Sequence, residues 1–196
     1  MNASHAPAPA AVDLPRAYRL LNHGPTVLVS AAHGGRRNLM AAAWSVPLDF
    51  DPPKIAVVID KSTYTRELVE ASGSFALSVP CRALARATMA VGSVSGRGLA
   101  DRDKFEACAV AAFAGPVLGL PLVGGCVGWM ECRVVSEPRN EARYDLFIGE
   151  VVSALADPRV FTDGRWHFDE GQQELRTIHY IAGGRFFEIG EAFDAN

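Results

Sequence analysis

The chain has no Cys-x-x-Cys pair, no apolar run approaching a bilayer span, and no basic cluster longer than Arg36-Arg37. Each absence removes a class of function. The four cysteines, Cys81, Cys108, Cys126 and Cys132, have no histidine at zinc-site spacing and read as free, packed thiols. Cys126 and Cys132, six apart, are expected on one face of a strand. A spanning helix needs about 20 apolar residues in succession, so no membrane role is expected. Net charge is −3 and the pI about 5.9, which argues against a nucleic-acid surface, since phosphate backbones need clustered Lys and Arg. The opening "MNASHAPAPAAV" lacks a basic stretch followed by an apolar one, the mark of a secretory signal. A cytoplasmic location in a reducing compartment is the expectation.

Motifs for named chemistries are missing too. No G-x-G-x-x-G opens a helix, and no G-K-[ST] ends a phosphate loop. "GSVSG", Gly92 to Gly96, puts Val94 at its centre, so it is not a hydrolase elbow. His5, His23, His33, His167 and His179 are scattered and read singly as surface or packed residues. No metal site is expected.

What is present is a core. Of 196 residues, 49% are hydrophobic and mean hydropathy is +0.10, enough for one sizeable domain. Residues 1–13 are rich in Ala, Pro and Ser and are expected to be a disordered tail, with a single domain over 14–196. Strand signals dominate that domain. "TVLVSAAH" is apolar and β-branched, and Gly34-Gly35 can turn it back into "NLMAAAWS" as an antiparallel partner. "KIAVVID", "SFALSVP", "GCVGWMECRVVSE" and "YDLFIGEVVSALA" follow as strands, the last two joined by a turn at "PRNEAR". "TIHYIAGGRFFEIG" closes as a hairpin around Gly183-Gly184. Helices are expected at "TYTRELVEAS", capped by Ser62 or Thr63 and stopped by Gly73, and within "CRALARATMAVGSVS". Many strands of similar length, with helices as insertions, suggest a closed antiparallel barrel.

Two stretches carry candidate chemistry. "DKSTYTRE" offers Ser62, Thr63 and Thr65 where a strand meets a helix start, a place where free N–H groups and the helix dipole favour phosphate. Ordinary N-capping would use only one of these hydroxyls. "SGRGLADRDKF" is a Gly- and charge-rich loop holding Arg97, Arg102 and Lys104.

In their order and spacing these pieces resemble the flavin reductase-like family, and within it the flavoredoxin branch, from about Tyr18 to Phe193. "GPTVLVSAAHGGRRNLMAAAWSVPLDFDPPKIAVVI" resembles the family's first three strands. "KSTYTRELVEASGSFALSVP" resembles its helix and next strand, "SGRGLADRDKF" its loop with a D-[KR]-F ending, and "GGRFFEIGE" its closing hairpin. The resemblance implies a mainly β, FMN-binding split barrel of antiparallel, Greek-key type with a few inserted helices. It implies an oxidoreductase in which non-covalent FMN at a homodimer interface takes a hydride or electrons from NADH, NADPH or a protein donor. The acceptor would be a flavin or a protein such as a redox partner or a flavin-dependent oxygenase. Carried over by position, Asn38, Leu39, Met40, Ala42, Ala43, Trp44 and Ser45 would line the ring, and Ser62, Thr63, Thr65 and Lys104 would hold the phosphate. Arg97 and Asp103 are weaker candidates, and His179 would border the ring. Small side chains at Ala42 and Ala43 would let a flat ring approach backbone groups, which then do most of the polar recognition. Trp44 would either flank the ring or its partner subunit, or sit in the core. A carrier without efficient NAD(P)H activity, or a non-catalytic ligand-binding barrel, are the alternative readings.

Overall fold

The computed structural model describes residues 6–99, 103–169 and 171–195. Its first half contains β1 (Ala10–Ala11), β2 (Val27–His33), β3 (Arg36–Ala42), β4 (Ser45–Phe50), β5 (Pro53–Val58), α1 (Tyr64–Ser72), β6 (Ser74–Val79) and α2 (Ala85–Ser93). Then come α3 (Lys104–Ala107), β7 (Ala112–Ala114), β8 (Pro121–Val123), β9 (Gly128–Val135), α4 (Pro138–Tyr144) and β10 (Leu146–Ala156). The chain finishes with β11 (Phe161–Thr162), β12 (Arg165–Trp166), β13 (Ile178–Ala182) and β14 (Arg185–Glu188).

One antiparallel sheet organises the chain, in the order β3-β2-β6-β9-β10-β5-β4, with β1 added to β10. The split-barrel class follows, and the sheet is not closed. Its two edge strands, β3 and β4, are consecutive in sequence and are joined only by Ala43 and Trp44. The expectation of one strand through "NLMAAAWS" is therefore corrected. The chain leaves β2 after Ala42 and changes partner, because β4 pairs with β5 instead. The split in the barrel lies at this alanine–tryptophan step.

The local reasons are mostly those read from composition. Gly34 and Gly35 have φ of 56° and 76°, the left-handed pair that a tight hairpin turn needs. Thr63 caps α1, its hydroxyl accepting the Arg66 N–H at 3.3 Å, and Gly73 ends that helix at φ 65°. "PRNEAR" departs from expectation and forms α4. Pro138 suits the first helical turn, and Glu141 reaches back to accept the Glu137 N–H at 2.8 Å. The tail departs in part as well. Ala10 and Ala11 pair with Ala156 and Leu155, and the Val12 N–H donates to the Ala154 carbonyl at 2.9 Å, so these residues are held on the sheet. Residues 1–5 lie outside the described residues.

Both faces of the central strands are buried. From β2, Val27, Val29 and Ala31 enter one core with Phe75, Leu77 and Phe147. Leu28 enters a second core with Leu39, Val91, Phe105 and Trp129, under α2 and α3. Cys132 packs in the first core and Cys126, ahead of β9, in the second, so the two do not share a face. All four thiols are free. Among the described residues no helix is long and apolar enough to cross a membrane.

Candidate functional site

At the split, β3 presents an edge with no strand beside it among the described residues, where its ladder partner is β2. Against this edge lies α2, and between them runs a groove with two compartments. The first is a cavity of about 470 Å³ bounded by the Met40–Trp44 stretch, by Met89 and Gly92 of α2, and by Tyr180 and Phe186 of the closing hairpin. Its lining is mostly apolar. The second, of about 280 Å³, is the more polar of the two and gathers Asn38, Ser62, Thr63, Thr65, Ser93 and Lys104. Met40, Ala41, Gly92 and Ser93 line both, so the compartments share a wall and meet beside Gly92.

The polar compartment is built around buried groups. Lys104, on the first residue of α3, is only 5% exposed, and among the described residues no carboxylate pairs with it. Burial lowers its pKa from the ordinary lysine value. Thr65 is fully buried, and its hydroxyl accepts from Asn38 Nδ2 at 2.9 Å. Gly96 holds Asn38 from the other side. A Cβ there would stand 2.3 Å from Asn38 Oδ1, so only glycine permits this approach. Helix geometry leaves the first N–H groups of α1 without intrahelical partners at this end. A buried, uncompensated cation beside free donors is a site that an anion stabilises.

Placed on this frame, the expected residues divide. Asn38, Met40, Ala42, Ala43, Trp44, Ser62, Thr63, Thr65 and Lys104 all border the groove. Leu39 does not. It is fully buried in the second core, so only its backbone can serve at the edge. Ser45 lies outside both linings, with its buried hydroxyl unpartnered among the described residues. The Thr63 hydroxyl is engaged twice, donating to the Asp60 carbonyl at 2.8 Å and accepting from Arg66. Thr63 is thus chiefly a cap. Trp44 is 74% exposed, which overturns its reading as a core aromatic. Arg97 pairs with Glu67, and Arg37 Nε donates to Asp103 Oδ2 at 2.5 Å, in a neighbouring cavity that Lys104 also lines. Arg102 lies outside the described residues.

His179 is corrected. Strand alternation on β13 turns Tyr180 into the groove and His179 away. The His179 ring lies 5.6 Å from that of His23, and its Nδ1 donates to the Gly24 carbonyl at 3.0 Å. His23 itself is held down to a pKa of about 4 by burial and by His179. Its folded pKa lies below the unfolded value of 6.5, so between pH 6.5 and 4 the unfolded chain binds more protons. The His23 contribution is fully present above pH 6.5 and is lost as pH falls toward 4. Stability from urea titrations should drop by on the order of 2–3 kcal/mol across that window. His23→Asn should flatten this part of the profile; an unchanged slope would remove His23 as the cause.

Several groove residues carry no sequence signal of a site. Met89, Gly92 and Ser93 stand on a helix whose periodicity reads as core packing, and Thr26 only as the start of a strand. Asp60 lies at the rim of the apolar cavity, its carboxyl held below the usual range by hydrogen bonding from Ser62. It is a fixed negative charge beside an apolar wall.

An open split barrel with an apolar slot leading to a buried cation is an architecture that can take a flat ligand carrying an anionic group. The chain belongs to the flavin reductase like domain family, which matches residues 19–175. It is 49% identical over 187 residues to the uncharacterized protein YddH of Escherichia coli K12, covering 94% of this chain and 96% of that protein. Among solved structures it is similar to the FMN-binding domain of a flavin reductases-like enzyme from Shewanella baltica OS155. That pair superposes with a TM-score of 0.93 at 51% identity, over 96% of this chain and 98% of the other. It is also similar to the flavoredoxin of Desulfovibrio vulgaris (Miyazaki F), with a TM-score of 0.73 and 25% identity over 99% and 94%.

Proposed function

We propose that this protein is an FMN-dependent oxidoreductase that moves a hydride or electrons from NADH, NADPH or a protein donor to a flavin or protein acceptor. The observation that carries the reading is the meeting of two distant stretches, 38–44 and 62–65, in one groove that ends on the buried Lys104. The donor set fits FMN. Ala41 and Ala42 on the free edge of β3, and Ala43 just beyond it, keep side chains short, so a flat ring can reach backbone N–H and carbonyl groups there. Lys104, the Thr65 and Ser62 hydroxyls and the start of α1 would hold the phosphate. Met89, Tyr180 and Phe186 keep water from the apolar compartment. When bound, FMN supplies the hydride and electron chemistry. The chain supplies position, which explains a groove without a nucleophile and its base. The similarity to a Shewanella baltica FMN-binding domain supports the cofactor.

A homodimer belongs to this reading. Trp44, just ahead of edge strand β4, and Val46, Leu48 and Phe50 on it are 74%, 50%, 51% and 63% exposed and alternate, beginning at the rim of the groove. A stripe of this kind is an interaction surface in most soluble proteins, and its start at the groove suits a second copy that completes the wall.

The test starts with colour. The purified protein should be yellow, run as twice 21.0 kDa on sizing, and bleach with NADH, NADPH or a protein reductant. Lys104→Gln should weaken FMN binding by roughly 10- to 100-fold, the effect of losing one charge-assisted partner of about 1.5–3 kcal/mol. Equal affinity in the variant would remove Lys104 from the phosphate site. A colourless protein that cannot be reconstituted would overturn the function.

A further inference from the structure

The closing hairpin is held at its base. From Tyr180 to Glu188 every residue is exposed or half-buried, yet Tyr180 and Phe186, paired across the hairpin, wall the apolar compartment. Below them Thr177 and Ile178 are buried, and Thr177 bridges to Cys81. Residues 23–26, just ahead of β2, grip this base through four hydrogen bonds. The Thr26 N–H donates to the Ile178 carbonyl at 2.9 Å, and the Tyr180 N–H to Thr26 Oγ1 at 2.8 Å. His23 Nε2 and Thr177 Oγ1 share a hydrogen bond of 2.9 Å, and His179 Nδ1 donates to the Gly24 carbonyl at 3.0 Å. The two imidazoles face each other with ring centres 5.6 Å apart. Thr26 also lines the apolar compartment, so grip and wall meet in one residue.

We infer that the β13–β14 hairpin is a lid over the apolar compartment, and that the His23–His179 pair is a catch which acid releases. The role rests on the flavin reading of the groove. His23 Nδ1 is buried without a hydrogen-bond partner among the described residues. Protonation makes both ring nitrogens donors. It therefore leaves a buried N–H unpaired and sets positive charge beside a second imidazole. Trp166 packs against the same ring, centres 5.5 Å apart. No carboxylate pairs with His23 or His179 among the described residues. The flanking charged groups are engaged elsewhere. Arg19 Nη1 donates to the Gly164 carbonyl at 3.1 Å, and Arg176 Nη1 to the Ile189 carbonyl at 3.3 Å. Arg82 pairs with Glu188 at 2.7 Å on the exposed side of the hairpin, and His167 lies 3.9 Å from Asp169. With the lid closed, burial and His179 hold His23 down to a pKa of about 4; swung open into water, it returns toward 6.5. The open lid therefore binds the extra proton. The catch is fully engaged above pH 6.5, and opening becomes easier as pH falls toward 4.

Hydrogen exchange, resolved by peptide and corrected for its intrinsic pH dependence, reads the lid directly. Protection of the hairpin should fall by roughly 10-fold between pH 6 and pH 5, while β9 stays far better protected at each pH. His23→Asn should remove that fall. Thr26→Val, which takes away the acceptor for the Tyr180 N–H, should lower protection at every pH and leave the slope intact. Should His23→Asn fail to fold, His179→Gln serves in its place, and the loss of the facing imidazole should make the total fall smaller. Riboflavin has no phosphate to titrate. At ten times its dissociation constant and pH 7 it should slow hairpin exchange by roughly 10-fold, as a ligand that binds only under a closed lid does. A hairpin that exchanges together with β9 means that the histidines support the whole fold, and a hairpin indifferent to pH means that they are no catch; either overturns the inference. Riboflavin that binds without slowing the hairpin overturns the lid. If riboflavin does not bind, the proposed function fails, and ligand-free exchange still decides the catch: a fall that His23→Asn removes upholds it, and no fall ends it.

Discussion

Arg66→Met should destabilise the protein by about 3–5 kcal/mol, the range for breaking a buried ion pair from one side. The guanidinium is anchored at four points. Nε donates to Glu70 Oε1 at 2.7 Å and Nη1 to Asp145 Oδ1 at 2.6 Å. Nη1 also donates to the Ile59 carbonyl at 3.2 Å, and Nη2 to the Glu141 carbonyl at 2.9 Å. The group sits 5.0 Å from the Phe147 ring centre. Glu70 is half exposed, and its share is small because water screens such pairs. The cost comes from the buried Ile59 carbonyl and the part-buried Asp145 carboxylate and Glu141 carbonyl, all of which Met leaves without this donor. Met matches the volume of the arginine stem, so a cavity is not the cause. Arg66→Lys should recover less than half, since an ammonium cannot present a planar fork to acceptors on three segments. Urea unfolding measures both. A Met variant within about 1 kcal/mol of the parent would show that these contacts balance their own desolvation. The residue also ties α1 to β10 and α4, so its loss loosens the helix that carries Thr65 and should weaken FMN binding as well.

The contrast between Arg66 and the groove shows what was legible in the sequence. Both hairpin turns were, because paired glycines leave the chain few other choices at Gly34-Gly35 and Gly183-Gly184. The caps of α1 were, because Thr63 and Gly73 act on their immediate neighbours. Mainly-β architecture was also readable, and the two candidate stretches, 38–44 and 62–65, come together at one groove. The break between Ala42 and Ser45 was not. Alanine and tryptophan tolerate either continuation, and the choice falls to long-range pairing of β4 with β5. The facing of Leu39 and His179 was not legible for one reason: a strand alternates, and register decides which neighbour's side chain faces the groove. Arg66 looked like any helix-surface arginine, since its partners Asp145 and Glu141 come from 75 and more residues away. The face of α2 was hidden because a helical stripe that borders a cavity has the same period as one that packs in a core.

Gly92 is the position where that ambiguity has the largest consequence. Gly92→Ala should raise stability by about 0.5–1 kcal/mol, the ordinary gain of alanine over glycine inside a helix. Nothing in the backbone requires glycine there. The residue lies within α2, and an added Cβ would meet only Ala41 Cβ at 3.6 Å, an ordinary contact. A helix that keeps a costly glycine with room for a methyl group has some other use for the space. That space is the neck between the apolar and polar compartments, which Gly92 lines on both sides. Gly92→Leu should therefore uncouple stability from binding. The protein should fold with a melting temperature at or above the parent's, while FMN affinity falls by roughly 10- to 100-fold, the equivalent of the 1–3 kcal/mol that overpacking costs. Riboflavin, which needs the ring compartment and not the phosphate one, should lose less than FMN. If Gly92→Leu unfolds the protein, the milder Gly92→Ala still decides the matter, because a methyl group at the neck should weaken FMN more than riboflavin. If Gly92→Leu instead retains full FMN affinity, the ring and the phosphate do not occupy these two compartments, and the cofactor lies elsewhere on the barrel.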